Sequence, residues 1–269
     1  MLTLPGRSPA HMRIGDTLVA RHTTADVVTT VAQRLCAPGP QLAVGSVNLD
    51  HLHHFRPGRN RILDQPEWLW LADGAPVAWR GARLGGAPWP RVTGADLLVP
   101  LLDLGAAHGV QVGFLGGMPA THERLAEVLA SRHPRAAPPR FWAPARDEIE
   151  SADACAALAA EIKAARVRLL VVGLGKPRQE LWIQRYAKDT GASVLLAFGA
   201  AGDFLAGVVD RAPVAYQRYG LEWLYRLKQE PRRLARRYLV QGPAAFARLR
   251  HASLAPVTPS SAGQPGRQP

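Results

Sequence analysis

Residues 167–180 read V-R-L-L-V-V-G-L-G-K-P-R-Q-E, a largely apolar run that stops at a glycine-rich turn. A β-branched run that ends at glycine and restarts as a helix is typical of an open α/β sheet, whose backbone N–H groups bind phosphate. The sequence therefore predicts a strand, a turn and a helix here, with a nucleotide or another phosphorylated ligand at the turn. The alternative is that both glycines only tighten the turn.

The same order of strand, turn and helix recurs along the chain. Further strands are predicted at residues 42–47, 68–72, 110–115 and 193–198, and helices at 23–35, 94–107, 120–132, 153–165 and 179–188. Strands that are apolar throughout are covered on both faces. We therefore predict an α/β fold, a Rossmann-like, mostly parallel sheet with helices on both faces, followed by a basic helical appendage at the C-terminus.

Ligands of such sheets bind beyond the carboxyl ends of the strands. That rule places one group of residues on a single rim: Asn48, Gly116, Gly117, Gly173, Gly175, Pro177, Gln179 and Asp203. The glycine turn lacks the spacing of a dinucleotide fingerprint, and the chain has no Walker lysine pattern. Hydride transfer and P-loop NTP hydrolysis are therefore poorly supported.

Two further segments contain candidate site residues. Asp73, at the end of an apolar run, is suited to act as a general base on a substrate hydroxyl, although Asp-Gly is also an ordinary turn pair. Thr93 and Asp96 are placed as an N-cap and a first-turn acid, which explains both structurally. Arg91, close to that helix start, is either a surface residue or a phosphate ligand.

Three histidines, His51, His53 and His54, raise the possibility of a metal site. They lie in a polar stretch with no carboxylate or thiolate at ligand spacing, so we predict solvated histidines and no metal. The chain also lacks an Asp-x-Asp pair of the kind that holds a divalent ion against a nucleotide diphosphate. If the substrate is a nucleotide sugar, arginines and helix ends must neutralise the leaving group.

The net charge of +12 is concentrated near the C-terminus. Residues 226–250 contain eight Lys or Arg, and Glu230 is their only acid. Such a block fits nucleic acid, an acidic membrane or a diphosphate group. Trp223 and Tyr225 beside these arginines suit a membrane interface, and the alternative is a helix packed on the domain with a solvated basic face.

Composition predicts four segments: a flexible N-terminus (1–15), an α/β domain (16–215), a basic amphipathic appendage (216–254) and a disordered tail (255–269). Two cysteines in unrelated contexts offer no disulfide framework, so a reducing cytoplasm is the default. The first residues do not read as a signal peptide, and no window is long and apolar enough to cross a bilayer. We expect a soluble or peripheral protein.

Taken together, these motifs resemble the WecG/TagA/CpsF family of bacterial glycosyltransferases. The resemblance spans residues 44–238 in the family's order and is therefore highly specific. The segments that carry it are residues 46–48, 73–74, 91–94, 115–117, 173–180, 199–207, 211–213 and 222–226. Ser46 stands where the family often has Thr, and Ala72 where Pro is common, which leaves the donor sugar open.

The resemblance implies a metal-independent, inverting transfer of a hexose or N-acetylhexosamine-type sugar from a UDP-sugar to a polyprenyl-diphosphate-linked saccharide. Such a reaction belongs to bacterial surface polysaccharide synthesis at the inner face of the cytoplasmic membrane, with no cofactor and no nucleic acid. It makes Asp73 the general base and places Ser46 and Asn48 in the sugar pocket. Gln179 would reach the donor or acceptor.

The same resemblance assigns the lipid diphosphate or the leaving UDP to the tail arginines Arg226, Arg232 and Arg236. Arg91, Thr93 and Arg211 are further candidate substrate-binding residues. The basic segment would also meet an anionic membrane surface, and a homo-oligomer is possible. The alternative function is a non-catalytic, basic α/β protein that binds nucleic acid or membranes.

Overall fold

The protein, described here from a computed structural model, contains one mixed sheet of nine strands. The structure describes residues 11–37, 39–213, 215–216 and 220–255, with the backbone only at Arg233. The strands are β1 (His11–Ile14), β2 (Thr17–Ala20), β3 (Leu42–Val47), β4 (Glu67–Ala72), β5 (Val112–Leu115), β6 (Arg140–Trp142), β7 (Leu169–Val172), β8 (Val194–Ala197) and β9 (Ser253–Ala255).

The strand order is β6-β5-β7-β8-β3-β4-β2-β1-β9. Neighbours from β6 to β2 are parallel, whereas β1 is antiparallel to both β2 and β9. The predicted fold class, a mostly parallel α/β sheet of Rossmann type, is confirmed.

Helices connect these strands and continue after the last parallel one. They are α1 (Thr24–Cys36), α2 (Leu49–His54), α3 (Ala75–Gly85), α4 (Gly94–Ala107), α5 (Pro119–Arg132), α6 (Arg146–Glu150), α7 (Ala152–Ala164), α8 (Arg178–Thr190), α9 (Ala201–Leu205), α10 (Glu222–Gln229), α11 (Pro231–Ala235) and α12 (Gly242–Arg248). A π-helical turn, Arg236–Gln241, joins α11 to α12. No helix of the described part is long and apolar enough to span a membrane.

Both faces of the sheet are buried, as the apolar strands predicted. In β7, Leu169 and Val171 belong to one core cluster with residues of α1 and α4, whereas Leu170 and Val172 belong to another with residues of α7 and α8. Successive side chains of a strand point to opposite faces, so this division shows that helices cover the sheet on both sides.

Local capping groups close several helix ends, and one of them, Thr93, was predicted. The Thr23 hydroxyl and the Asp26 carboxylate form a capping box at α1, and Thr93 caps α4 by accepting from the Asp96 backbone N–H. Gly191 ends α8 in the left-handed conformation, with φ of 67°. These short-range features depend on neighbouring residues alone, which is why the sequence predicts them well.

Three segments differ from the prediction. The flexible N-terminus was expected to reach Gly15, but His11–Ile14 pairs with β2 and β9. The histidine-rich stretch predicted as a solvated polar loop is the helix α2. The tail predicted from residue 255 onward begins inside β9, and its remainder, residues 256–269, lies outside the described residues. In β1 and β9, strand pairing supplied the order that composition did not show.

Candidate active site

A cavity of about 1050 Å³ lies beyond the carboxyl ends of β3, β4, β7 and β8. Because these strands are parallel, the residues that follow them reach the same edge of the sheet. Ten of the predicted site residues line the cavity: Ser46, Asn48, Asp73, Arg91, Thr93, Gly173, Gly175, Gln179, Asp203 and Arg226. The predicted base therefore shares one cavity with the glycine turn that follows β7.

Asp73 is held by the strand next to its own. Its backbone N–H donates to the Val47 carbonyl at 3.0 Å, and its Oδ2 accepts from Asn48 Nδ2 at 2.9 Å. Asn48 Oδ1 in turn accepts from the His51 backbone N–H at 3.1 Å and so caps α2. The amide predicted to meet the sugar is therefore engaged with the protein, and it orients the carboxylate of Asp73.

Gly74 does not adopt a backbone conformation that requires glycine. Its φ of −77° is open to any residue, but a Cβ added there would lie 3.2 Å from Asn48 Cβ and 3.3 Å from its Cα. The glycine therefore allows the ends of β3 and β4 to approach closely, and it starts α3. This close approach brings Asn48 within reach of Asp73.

The glycine turn after β7 is braced by side chains at the start of α8. Gln179 Oε1 accepts from the Gly175 backbone N–H at 3.1 Å, and Gln179 Nε2 donates to the Ala197 carbonyl at 2.9 Å. Lys176 Nζ donates to Glu180 Oε1 at 2.6 Å. Gln179 lines the cavity, yet its amide is saturated by protein groups rather than aimed at a ligand.

The remaining rim glycines allow neighbouring loops to touch. A Cβ on Gly116 would lie 2.7 Å from the Gly173 carbonyl oxygen, and one on Gly173 would lie 3.2 Å from that of Gly199. Gly116 and Gly117 line a separate cavity of about 20 Å³ beside His122. They are thus not brought to the main cavity. Close packing explains Gly116, and positive φ values of 89° and 90° favour glycine at both positions.

An ionic network surrounds the start of α4. Arg211 donates to Asp96 Oδ1 at 2.7 Å, and Glu222 Oε1 lies 3.7 Å from Arg211 Nε. The other oxygen of Glu222 lies 3.8 Å from Arg91. Burial acts to raise the pKa of Asp96, but hydrogen bonds from Thr93 and Arg211 outweigh it and lower the pKa below its ordinary value.

Two predicted substrate ligands of this network, Arg91 and Arg211, differ in their position relative to the cavity. Arg211 lies behind the cavity and holds residues of its wall, whereas Arg91 lines the cavity itself. Pro177, which sits at the N-cap of α8, is likewise outside the set of lining residues.

The C-terminal segment forms one wall of the cavity. Arg226 lines it with its guanidinium 5.8 Å from the ring centroid of Phe204, and its buried Nε has no hydrogen-bond partner in the described part of the chain. Arg237 lines the cavity too and lies 3.2 Å from Asp50 Oδ2. The predicted Arg232 and Arg236 are exposed and do not line it.

Sequence reasoning missed several cavity residues. Among the charged ones, these are Asp50, Lys176, Arg178, Glu222, Glu230 and Arg237. Two of them were detectable, since Lys176 and Arg178 lie within the glycine motif itself. Arg237 was not, because a shift of one residue along a helix turns the side chain by about 100°.

The histidines of α2 are not solvated as predicted. His51 is completely buried between Phe55 and Trp70, and its Nε2 lies 3.2 Å from the Thr17 hydroxyl. Burial lowers the pKa of His51 well below its ordinary value, with the Lys176 charge acting in the same direction. In the parts of the chain that the structure describes, no group of three or more His, Cys, Asp or Glu could hold a metal ion.

The chain matches a known protein family. A family model described as glycosyl transferase, WecG/TagA/CpsF family, matches residues 12–257. The chain belongs to this glycosyltransferase family. Members transfer a sugar from a donor to an acceptor. The matched residues include α10–α12, so the family model covers the segment that forms the C-terminal wall.

Proposed function

We propose that this chain is a metal-independent, inverting glycosyltransferase of bacterial surface polysaccharide synthesis. It moves a hexose or N-acetylhexosamine-type sugar from a UDP-sugar to a polyprenyl-diphosphate-linked saccharide. The observation that carries the proposal is the position of Asp73, which lines one cavity together with the glycine turn, Arg91 and Arg226. A base and a cationic surface for a leaving diphosphate are the two groups that such a displacement needs.

Asp73 is suited to take the proton of the acceptor hydroxyl. Asn48 Nδ2 donates a hydrogen bond to Oδ2 of Asp73. The other carboxylate oxygen is therefore the one that accepts the proton. The acceptor oxygen forms its bond to the anomeric carbon as the bond to the UDP oxygen breaks. That single in-line step inverts the anomeric centre and leaves the electron pair on the departing diphosphate.

Three arginines would stabilise the departing diphosphate. Arg91, Arg178 and Arg226 line the cavity, and Arg178 stands at the start of the 13-residue helix α8. Guanidinium groups form strong, charge-assisted hydrogen bonds with phosphate oxygens, and a helix N-terminus adds positive potential. These groups supply the charge that a divalent ion supplies in other transferases, which supports metal independence.

The outer surface of the C-terminal segment supports peripheral attachment to the inner face of the cytoplasmic membrane. Leu239 and Val240 are 60% and 66% exposed, and Arg232 and Arg236 are exposed nearby in sequence. Exposed apolar residues beside arginines suit the interface of an anionic bilayer. The lipid-linked acceptor would then reach the cavity from the membrane. Assembly into homo-oligomers stays a prediction.

The direct test is Asp73→Asn, assayed with a panel of UDP-sugars and a synthetic polyprenyl-diphosphate saccharide. Loss of a positioned base lowers the rate on the order of a hundredfold or more, while UDP binding, measured by calorimetry, stays unchanged. NMR of the product reports the anomeric configuration. Near-normal turnover would remove Asp73 from the role of base, and retention at the anomeric carbon would contradict a single displacement.

Family membership favours the enzyme over a basic nucleic-acid-binding protein. The two functions separate by salt dependence: binding that depends on many phosphate contacts weakens steeply as salt rises. Tight, salt-steep binding to DNA or RNA in a chain that does not bind UDP would favour the alternative.

A further inference from the structure

Two polar contacts at the cavity floor join Lys176 and Gln179, which line the cavity, to the buried Glu180. Lys176 has a side-chain exposure of 8% and Glu180 of 0%. A single oxygen, Glu180 Oε1, accepts from Lys176 Nζ at 2.6 Å and from Gln179 Nε2 at 3.2 Å. A lysine and a glutamate are thus buried together at the point where the glycine turn meets the sheet.

These side chains continue the sheet where its strands stop pairing. The ladder between β3 and β8 ends at Gly45 and Ala197. The next carbonyl of β3, that of Ser46, accepts from Lys176 Nζ at 2.8 Å, and the carbonyl of Ala197 accepts from Gln179 Nε2. Glu180 joins the two donors and thereby ties the ends of β3 and β8 to the turn after β7.

Stability alone gives little reason for a charged pair at this position. Buried ion pairs often contribute less than apolar residues of the same size, because both charges lose their hydration. Glu180 Oε2 is buried and has no hydrogen-bond partner in the described part of the chain, so the pair also leaves an acceptor unsatisfied. An imperfectly satisfied pair that nevertheless connects two strand ends points to a positioning role.

We propose that Lys176 is a positioning residue for the proposed base. Its bond to the Ser46 carbonyl holds the end of β3, two residues before Asn48, and Asn48 Nδ2 orients Asp73. Glu180 keeps the ammonium in place. Lys176 thus acts on the reaction through Asn48 rather than by touching the substrate. This inference rests on the proposed function, since it concerns the geometry of its base.

The test compares Lys176→Met with the charge-balanced double variant Lys176→Met/Glu180→Gln. The single variant leaves a buried carboxylate without its partner and should melt at a lower temperature than the native chain. The double variant removes that charge and should recover most of the melting temperature. In both, kcat should fall between about ten- and a hundredfold, because small misplacements of reacting groups are costly.

Two readouts distinguish positioning from substrate contact and from stability. UDP affinity by calorimetry should change less than about twofold, since the Lys176 ammonium is bonded to Ser46 and Glu180 and not directed at the nucleotide. Hydrogen exchange should increase in the peptide that covers residues 46–50. Arg146→Met breaks an exposed i,i+4 pair with Glu150 and serves as the matched control, with none of these effects expected.

The outcomes separate cleanly. Recovery of both melting temperature and kcat in the double variant overturns the proposal, because the pair would then be structural only. A rise in KM and UDP Kd with unchanged kcat overturns it as well, since Lys176 would be a substrate ligand. Absence of transferase activity in the native chain would contradict the proposed function. Faster hydrogen exchange at residues 46–50 in the Lys176 variants would still show that Lys176 holds the end of β3.

Discussion

The floor and the C-terminal wall of the cavity are built in different ways. The floor is tied by short contacts between buried groups, such as Lys176 with Glu180 at 2.6 Å and Gln179 with Ala197 at 2.9 Å. The wall is held by longer contacts: the partly exposed Arg237 lies 3.2 Å from the buried Asp50, and Arg91 and Glu222, both partly exposed, lie 3.8 Å apart. Buried short bonds fix a geometry, whereas exposed long pairs contribute little stability.

This difference matches two requirements of the proposed reaction. A base must be held within a fraction of an ångström of its productive position, and the floor does this for Asp73. A lipid-linked acceptor must enter and leave, so the wall that it passes has to open. Elements with few buried apolar contacts open at low free-energy cost, and α10 has no buried residue.

Among the variants that test the difference between floor and wall, Asn48→Leu should have the largest effect on the reaction. It keeps the size of the side chain but removes its hydrogen bonds to Asp73 and α2. We expect kcat to fall about ten- to a hundredfold with UDP affinity nearly unchanged. Steady-state kinetics and calorimetry measure the two. Thr23→Ala is the control: it removes the remote cap of α1, costs about 1 kcal/mol of stability and leaves kcat intact. Equal losses in both variants would contradict an orienting role for Asn48.

The wall should respond in substrate binding and not only in rate. Arg226→Met removes a cation that lines the cavity, and we expect KM or Kd for the anionic substrate to rise about tenfold, as for loss of a charge-assisted hydrogen bond. Arg232→Met, at an exposed position outside the cavity, should change either value less than about twofold. If both variants behaved alike, bulk positive charge and not the cavity would explain binding.

A smaller effect concerns pH, because the buried His51 lies on α2 behind the floor. Its pKa is lowered in the folded state, so the unfolded chain binds its proton first as pH falls. Stability is therefore complete above the ordinary histidine pKa of about 6.5 and decreases below it, by at most about 1.4 kcal/mol per pH unit for this group.

Melting temperatures between pH 7.5 and 5.0 measure this loss. His51→Gln should flatten the decrease, whereas a matched change at the exposed His251 should not. An unchanged slope in His51→Gln would show that other groups cause the acid sensitivity.

The smallest effect is expected on the outer surface of the wall. Leu239→Glu places a carboxylate in the surface proposed to meet the bilayer, and should weaken binding to vesicles with anionic lipids several-fold, on the order of 1 kcal/mol. Leu63→Glu, at an apolar residue with 52% exposure outside the C-terminal segment, is the control. Sedimentation with vesicles reports both, and equal binding by the two variants would argue against this surface.

The layout of the rim followed from the sequence because it depends on strand order and direction more than on packing detail. Apolar runs that end at Val47, Ala72 and Val172 predicted parallel strands, and parallel strands bring the residues after them to one edge. The convergence of Asp73 with the glycine turn could therefore be predicted without coordinates. The pairing of β1 with β9 could not, since it joins residues more than 200 positions apart.

What the sequence determined by itself was the alternation of strands and helices, the helix caps and the set of residues that reach the rim, because these depend on local periodicity. The tertiary structure alone decided which side chains face the cavity. It turned Arg237 inward rather than Arg236, engaged Asn48 with Asp73 and buried Lys176 against Glu180. Such choices depend on side-chain rotation and on partners distant in the chain, and neither leaves a periodic signal in the sequence.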